Sequence, residues 1–271
     1  MAERVARDSD RESLMFELAS GGRGLRLSAI LVLAGAVFSG PVAMLVVSQT
    51  APQPPWMGVE TFVNNYRPVQ ALPYALGYVL LAGFVLFAAA CHAGARANLR
   101  LRTSAALVFT AVYAALVFTN YTIQLGFIPR MLNERPTYIG DLTMANPSSF
   151  AWLLEMFGYA AMGAATWLVA AGFRGNRRAD GIRYLLIGNG LISIVGAACT
   201  ALFDRWVFST AGFISFAAWN VLIPVCFTLI AISPHGGFAD LVESSIDDAN
   251  QRLHPTALSG IVKRRGVKRS R

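Results

Sequence analysis

Six long apolar stretches separated by polar connectors set the pattern of the chain, at 27–48, 73–93, 103–128, 150–173, 184–203 and 211–232. Each reaches the roughly 20 helical residues needed to cross about 30 Å of hydrocarbon. The expected fold is therefore all-α, with six transmembrane helices in one bundle. Residues 1–26 are expected to form an N-terminal segment, 27–232 the membrane domain, and 233–271 an amphipathic segment with a basic tail. Within that last part Phe238, Leu241, Val242, Ile246 and Ala249 recur at helical spacing opposite Asp240, Glu243, Asp247 and Asp248, as in a helix lying along headgroups.

Charge orders these spans. Of the 23 Lys and Arg residues, 19 fall in the N-terminal segment, the second and fourth connectors and the tail. The other side holds only Arg67, Arg130, Arg135 and Arg205. Positive-inside bias then predicts that both termini are cytoplasmic. The first span has too long a polar leader and too long an apolar run for a signal peptide, so it is expected to stay as a helix.

Composition agrees: 55% hydrophobic and 14% charged residues, against about 25% charged in an ordinary soluble domain. No separate soluble domain fits. The net charge of +8 does not point to nucleic acid, because no zinc-knuckle, RNA-binding or helix-turn-helix pattern accompanies it. The expected partners are the bilayer and anionic lipids at the basic tail, at about 1 kcal/mol per basic residue near the surface. Small-residue spacing such as Ala36-x-x-x-Gly40 and Ala160-x-x-x-Ala164 permits tight helix contacts, within one bundle or between copies.

A shift of 81 residues aligns 73–102 with 154–183 and makes seven of thirty positions identical, among them Gly77/Gly158, Tyr78/Tyr159 and Arg96/Arg177. Two parallel copies of one hairpin, spans 2–3 and 4–5, would explain it. Coincidence between alanine-rich helices is the alternative. In this alignment Tyr74 corresponds to Glu155, so what is special to the chain is expected on the second hairpin.

Polar residues inside the spans are the candidate chemistry. An ionisable group at the centre of a membrane helix costs roughly 2.5–3.5 kcal/mol on insertion scales, and Glu155 is the one clear carboxylate within a span. It lies about 7.5 Å past the start of the fourth span, at 1.5 Å per residue. Gln124 is expected at nearly the same depth on the third span, and Asn120 one turn deeper, level with Tyr159. Both pairs have i,i+4 spacing, so each forms a stripe on one helix face. Asn220 on the sixth span reaches the depth of the inner pair. The candidate ligand-binding set is Glu155, Gln124, Asn120, Tyr159 and Asn220. For Asn120, Tyr159 and Asn220 taken singly, hydrogen bonding between helices is the plainer reading. Glu155 with Gln124 favours a site, since a glutamine would serve as glue without the cost of a charge.

Other features are read as structural. Asn189 between Gly188 and Gly190 suggests helix packing, Asp204–Arg205 a local ion pair, and Pro224 a kink. There is no HExxH, CxxC, GxSxG or Walker A pattern. Cys91, Cys199 and Cys226 lie in different spans, and Cys91-His92 lacks further recognisable ligands, so neither a metal nor a cofactor is expected. No catalytic cluster is recognisable, which disfavours a lipid-modifying enzyme.

The stretch from Asn120 to Thr166, with Gln124-Leu125, Asn146-Pro147, Leu154-Glu155 and Gly158-Tyr159, resembles a group of uncharacterised six-span bacterial integral membrane proteins. Members often carry His-Gly after the Asn-Pro, where Ser148-Ser149 stands here. The resemblance implies a bacterial inner-membrane location and brings no activity. The expected role is binding or transport of a small polar or cationic solute at an outward-facing pocket. A structural or accessory subunit without its own ligand is the alternative.

Overall fold

In the computed structural model, residues 22–233 are described. The amphipathic segment, the basic tail and most of the N-terminal segment expected from sequence lie outside them. Six helices are long and apolar enough to cross a membrane: α1 (Gly22–Thr50), α2 (Pro68–Ala93), α3 (Ala97–Met131), α4 (Phe150–Ala170), α5 (Arg177–Leu202) and α6 (Thr210–Ala231). Among the described residues there is no strand. The chain is an all-α, multi-pass membrane protein with six helices in one bundle.

Helix α3 departs most from the apolar pattern, running 35 residues through Arg100 and Arg102 at one end and Pro129 and Arg130 at the other. Hydropathy marks only the part that sits in hydrocarbon. A helix continues beyond it wherever long basic side chains can reach water. A π-helical turn at Ile123–Phe127 lies just before the outer extension, and such a turn rotates the helix face that follows it. Helices α5 and α6 begin where a side chain takes up orphan N–H groups. Asn176 accepts from the Arg178 and Ala179 amides, and Ser209 from that of Gly212.

The core joins all six helices through Val32, Phe84, Phe87, Tyr113, Met162, Leu186 and Phe227. The Phe87 and Phe227 rings meet edge-on at 4.9 Å, bringing α2 to α6. The outside is equally apolar. Val108, Phe109, Val112 and Phe118 on α3, and Phe213, Ile214, Phe216 and Val221 on α6, are exposed. A surface of that kind is a liability in water and the ordinary face toward lipid.

The two ends of the bundle differ. One carries the short basic connectors, α2 to α3 and α4 to α5. The other carries longer connectors that build a second apolar cluster of Phe62, Ile128 and Ile139, flanked by Trp56, Val59 and Tyr66. The short helix Val59–Asn65 lies in this cap, as does the single turn Ile139–Leu142. Gln70 ties the cap down by donating to the Ala51 carbonyl at 3.0 Å.

Asn189 serves packing between α4 and α5, donating to Thr166 Oγ1 at 3.0 Å beside a bond from Trp167 Nε1 to the Ile187 carbonyl. Asp204 and Arg205 form a local pair at 3.9 Å.

Candidate functional site

Glu155 lies on α4, 8% exposed, facing α3. Two donors from α3 hold its two oxygens. Asn120 Nδ2 donates to Oε2 and the Tyr121 hydroxyl to Oε1, both at 2.9 Å. The Tyr121 hydroxyl also lies 3.3 Å from that of Tyr159, one turn along α4. No Lys, Arg or His among the described residues pairs with Glu155.

Gln124 sits one turn nearer the cap and does not touch Glu155. Its Nε2 donates to Asn120 Oδ1 at 3.2 Å and to the Leu142 carbonyl at 2.7 Å, while its Oε1 accepts from the Met144 amide at 3.2 Å. Asn120 Nδ2 also reaches Met144 Sδ at 3.2 Å. Both N–H groups and the carbonyl of each of these two amides are therefore engaged. Trp152 Nε1 donates to the Met144 carbonyl at 3.0 Å, and Asn146 Nδ2 to that of Gly140 at 2.7 Å. The connector between α3 and α4 is thus stitched over the carboxylate by side chains from both helices.

The expected pairing of Gln124 with Glu155 is corrected by one helical turn: Asn120 takes that place. The cause is that α3 projects past the level at which α4 starts, so steps counted inward from the two helix ends do not fall at equal depth. Asn220 is not part of the network. Its Nδ2 donates to the Phe216 carbonyl of its own helix at 2.9 Å, and its Oδ1 fills the space that a Cβ at Gly40 would need. The direction in which a lone polar residue points is not legible from sequence.

Tyr121 escaped the sequence reading. It reads as a packing aromatic, yet it neighbours Asn120 and stands three residues before Gln124, within reach of the same partner helix. Trp219 also reaches this region from α6, its ring meeting Tyr159 edge-on at 5.0 Å. The Tyr113 ring lies 5.7 Å from that of Tyr159. Tyr113 Oη and Trp219 Nε1 are buried without a hydrogen-bond partner.

Among the described residues no group of three or more His, Cys, Asp or Glu side chains is placed to hold a metal. Cys91, Cys199 and Cys226 are free thiols, and His92 Nδ1 bonds Thr103 Oγ1 at 3.0 Å.

Fold and site together define a multi-pass helical membrane protein with a buried carboxylate network between α3 and α4. No protein-family model, curated protein or solved structure matches the chain.

Proposed function

We propose that the chain binds a small polar or cationic solute at Glu155, reached from the end covered by the α3–α4 connector, and that this binding belongs to a transport cycle. The observation that carries the reading is a carboxylate buried in a membrane bundle with donors on both oxygens and no basic partner among the described residues. A charge in that setting needs a counter-ion or a proton. Two features support it. Tyr113 Oη and Trp219 Nε1 are unsatisfied beside Tyr159, where a ligand's acceptors have donors to meet. The cover over Glu155 hangs on Gln124, so movement of one connector opens the site.

The test is a thermal-shift screen of wild type and Glu155→Gln against alkali cations, small amines, sugars and lipids. A ligand stabilises the state it binds by RT ln(1 + [L]/Kd). Glutamine keeps the shape and one acceptor, and the Tyr121 hydroxyl can turn to accept from the new amide. A shift in wild type that disappears in Glu155→Gln supports the site. No shift across the panel, with the variant equally stable, favours the second reading. In that reading the protein is a structural or accessory subunit, and what favours it is the complete engagement of the Asn120 and Gln124 amides.

The same proposal includes a bacterial inner-membrane location, on the resemblance of the Asn120–Thr166 stretch, and cytoplasmic termini, on the 19-to-4 division of basic residues. Cysteines introduced at Ser9 and Ser259 should then label only after permeabilisation, and labelling in intact cells would reverse the orientation.

A further inference from the structure

At the end of the bundle remote from Glu155, the start of α3 and the connector after α4 border an open cavity of about 290 Å³. Arg96, Arg102 and Arg174 line it, with Asn98, Leu99, Ala171 and Gly172. Three arginines from two stretches far apart in sequence thus line one cavity, Arg96 just before α3, Arg102 near its start and Arg174 after α4. Among the described residues none of the three pairs with a carboxylate. The Arg96 Nε is buried and has no hydrogen-bond partner. A buried guanidinium N–H without an acceptor is costly to leave unmade.

The cavity also lies at the start of α3. Arg96 is extended, and the turn Ala97–Leu99 leads directly into the helix without a side-chain cap. The start of a 35-residue helix therefore lies at this cavity, and the positive end of its dipole adds to the arginines. Leu99 and Ala171 give the same cavity an apolar side.

We infer that this cavity is a binding site for a phosphate group, and that the phosphate is the headgroup of an anionic membrane lipid. Arginine forks match phosphate oxygens in pairs, and basic pockets between membrane helices at this level are suited to anionic headgroups. The position at the helix ends puts a headgroup at its natural depth while its acyl chains follow the exposed apolar faces of the bundle. A free phosphate ester offers the same chemistry without the chains. The site is independent of Glu155.

The experiment measures thermal stability in detergent as phosphatidylglycerol is titrated against phosphatidylcholine, with inorganic phosphate and glycerol 3-phosphate in parallel. Proteins compared are wild type, Arg96→Gln/Arg174→Gln, and Arg178→Gln, which removes an exposed arginine outside the cavity. The expected result is stabilisation by phosphatidylglycerol that the double variant needs at least tenfold more lipid to reach, with Arg178→Gln unchanged. A shift produced equally by glycerol 3-phosphate would keep the phosphate site and overturn the lipid assignment. Equal responses in all three proteins would overturn the site, leaving only diffuse attraction. Should the double variant fail to fold, Arg96→Lys keeps the charge and loses the paired donors. A lipid response in Arg96→Lys as strong as in wild type would likewise overturn the proposal.

Discussion

Helices α2 and α4 run in the same direction through the bundle and press on one helix, α3, with residues 81 positions apart. On α2 these are Tyr74, Gly77 and Tyr78; on α4 they are Glu155, Gly158 and Tyr159. Tyr121 receives most of both sets. The Tyr74 and Tyr78 rings lie 5.7 and 5.9 Å from its ring, while Glu155 and Tyr159 meet its hydroxyl. The two glycines let the helices approach. A Cβ at Gly77 would enter the Tyr121 ring, and one at Gly158 would enter Val117. The shared spacing thus yields two similar faces against a common helix. They differ at one position, tyrosine on α2 and glutamate on α4, and that difference turns an aromatic contact into a polar network. Packing needs only shape, whereas a buried carboxylate needs donors, and α3 supplies Asn120 and Tyr121 toward α4.

If the two faces were interchangeable, a carboxylate would be tolerated on either. Tyr74→Glu should instead cost about 3–5 kcal/mol, the range for an uncompensated buried charge, and should show as lost thermal stability in detergent. Next in size is Glu155→Leu, which leaves one Asn120 Nδ2 N–H unsatisfied and the Tyr121 hydroxyl with only Tyr159 as partner. At about 1–3 kcal/mol for each unsatisfied group, the unfolding midpoint should fall clearly below that of Tyr74→Leu. A ranking in the other order would mean that the aromatic face, not the network, holds α3. Tyr121→Phe separates the two sides in one residue. It keeps both ring contacts with α2 and removes the bonds to α4, so unfolding should record a loss of about 1 kcal/mol. The smallest effect belongs to Tyr74→Phe, expected within about 0.5 kcal/mol of wild type.

The helical plan was open to sequence reading because crossing hydrocarbon imposes a length and an apolar composition that few other demands imitate. The stripe of Asn120 with Gln124 and that of Glu155 with Tyr159 were legible for a related reason, since i,i+4 spacing fixes a helix face. Their register was not. It depends on where α3 ends, and a helix that runs on through Pro129 and Arg130 leaves no apolar trace of its last turns. The part played by the connector was hidden as well, because Gln124 bonds the Leu142 carbonyl and the Met144 amide, groups that every residue carries. The phosphate cavity shows the same limit: Arg96 and Arg174 appear in sequence only as two members of separate basic connectors.

The central claim is that Glu155 meets a solute rather than only its neighbours on α3. Infrared difference spectroscopy on lipid films of wild type and Glu155→Gln, perfused in turn with the cations and amines of the screen, reads the carboxylate directly. The account predicts a change in a carboxyl band on perfusion of at least one of these solutes, present in wild type and absent in Glu155→Gln. A wild-type spectrum indifferent to every solute, with the variant equally stable, would contradict it.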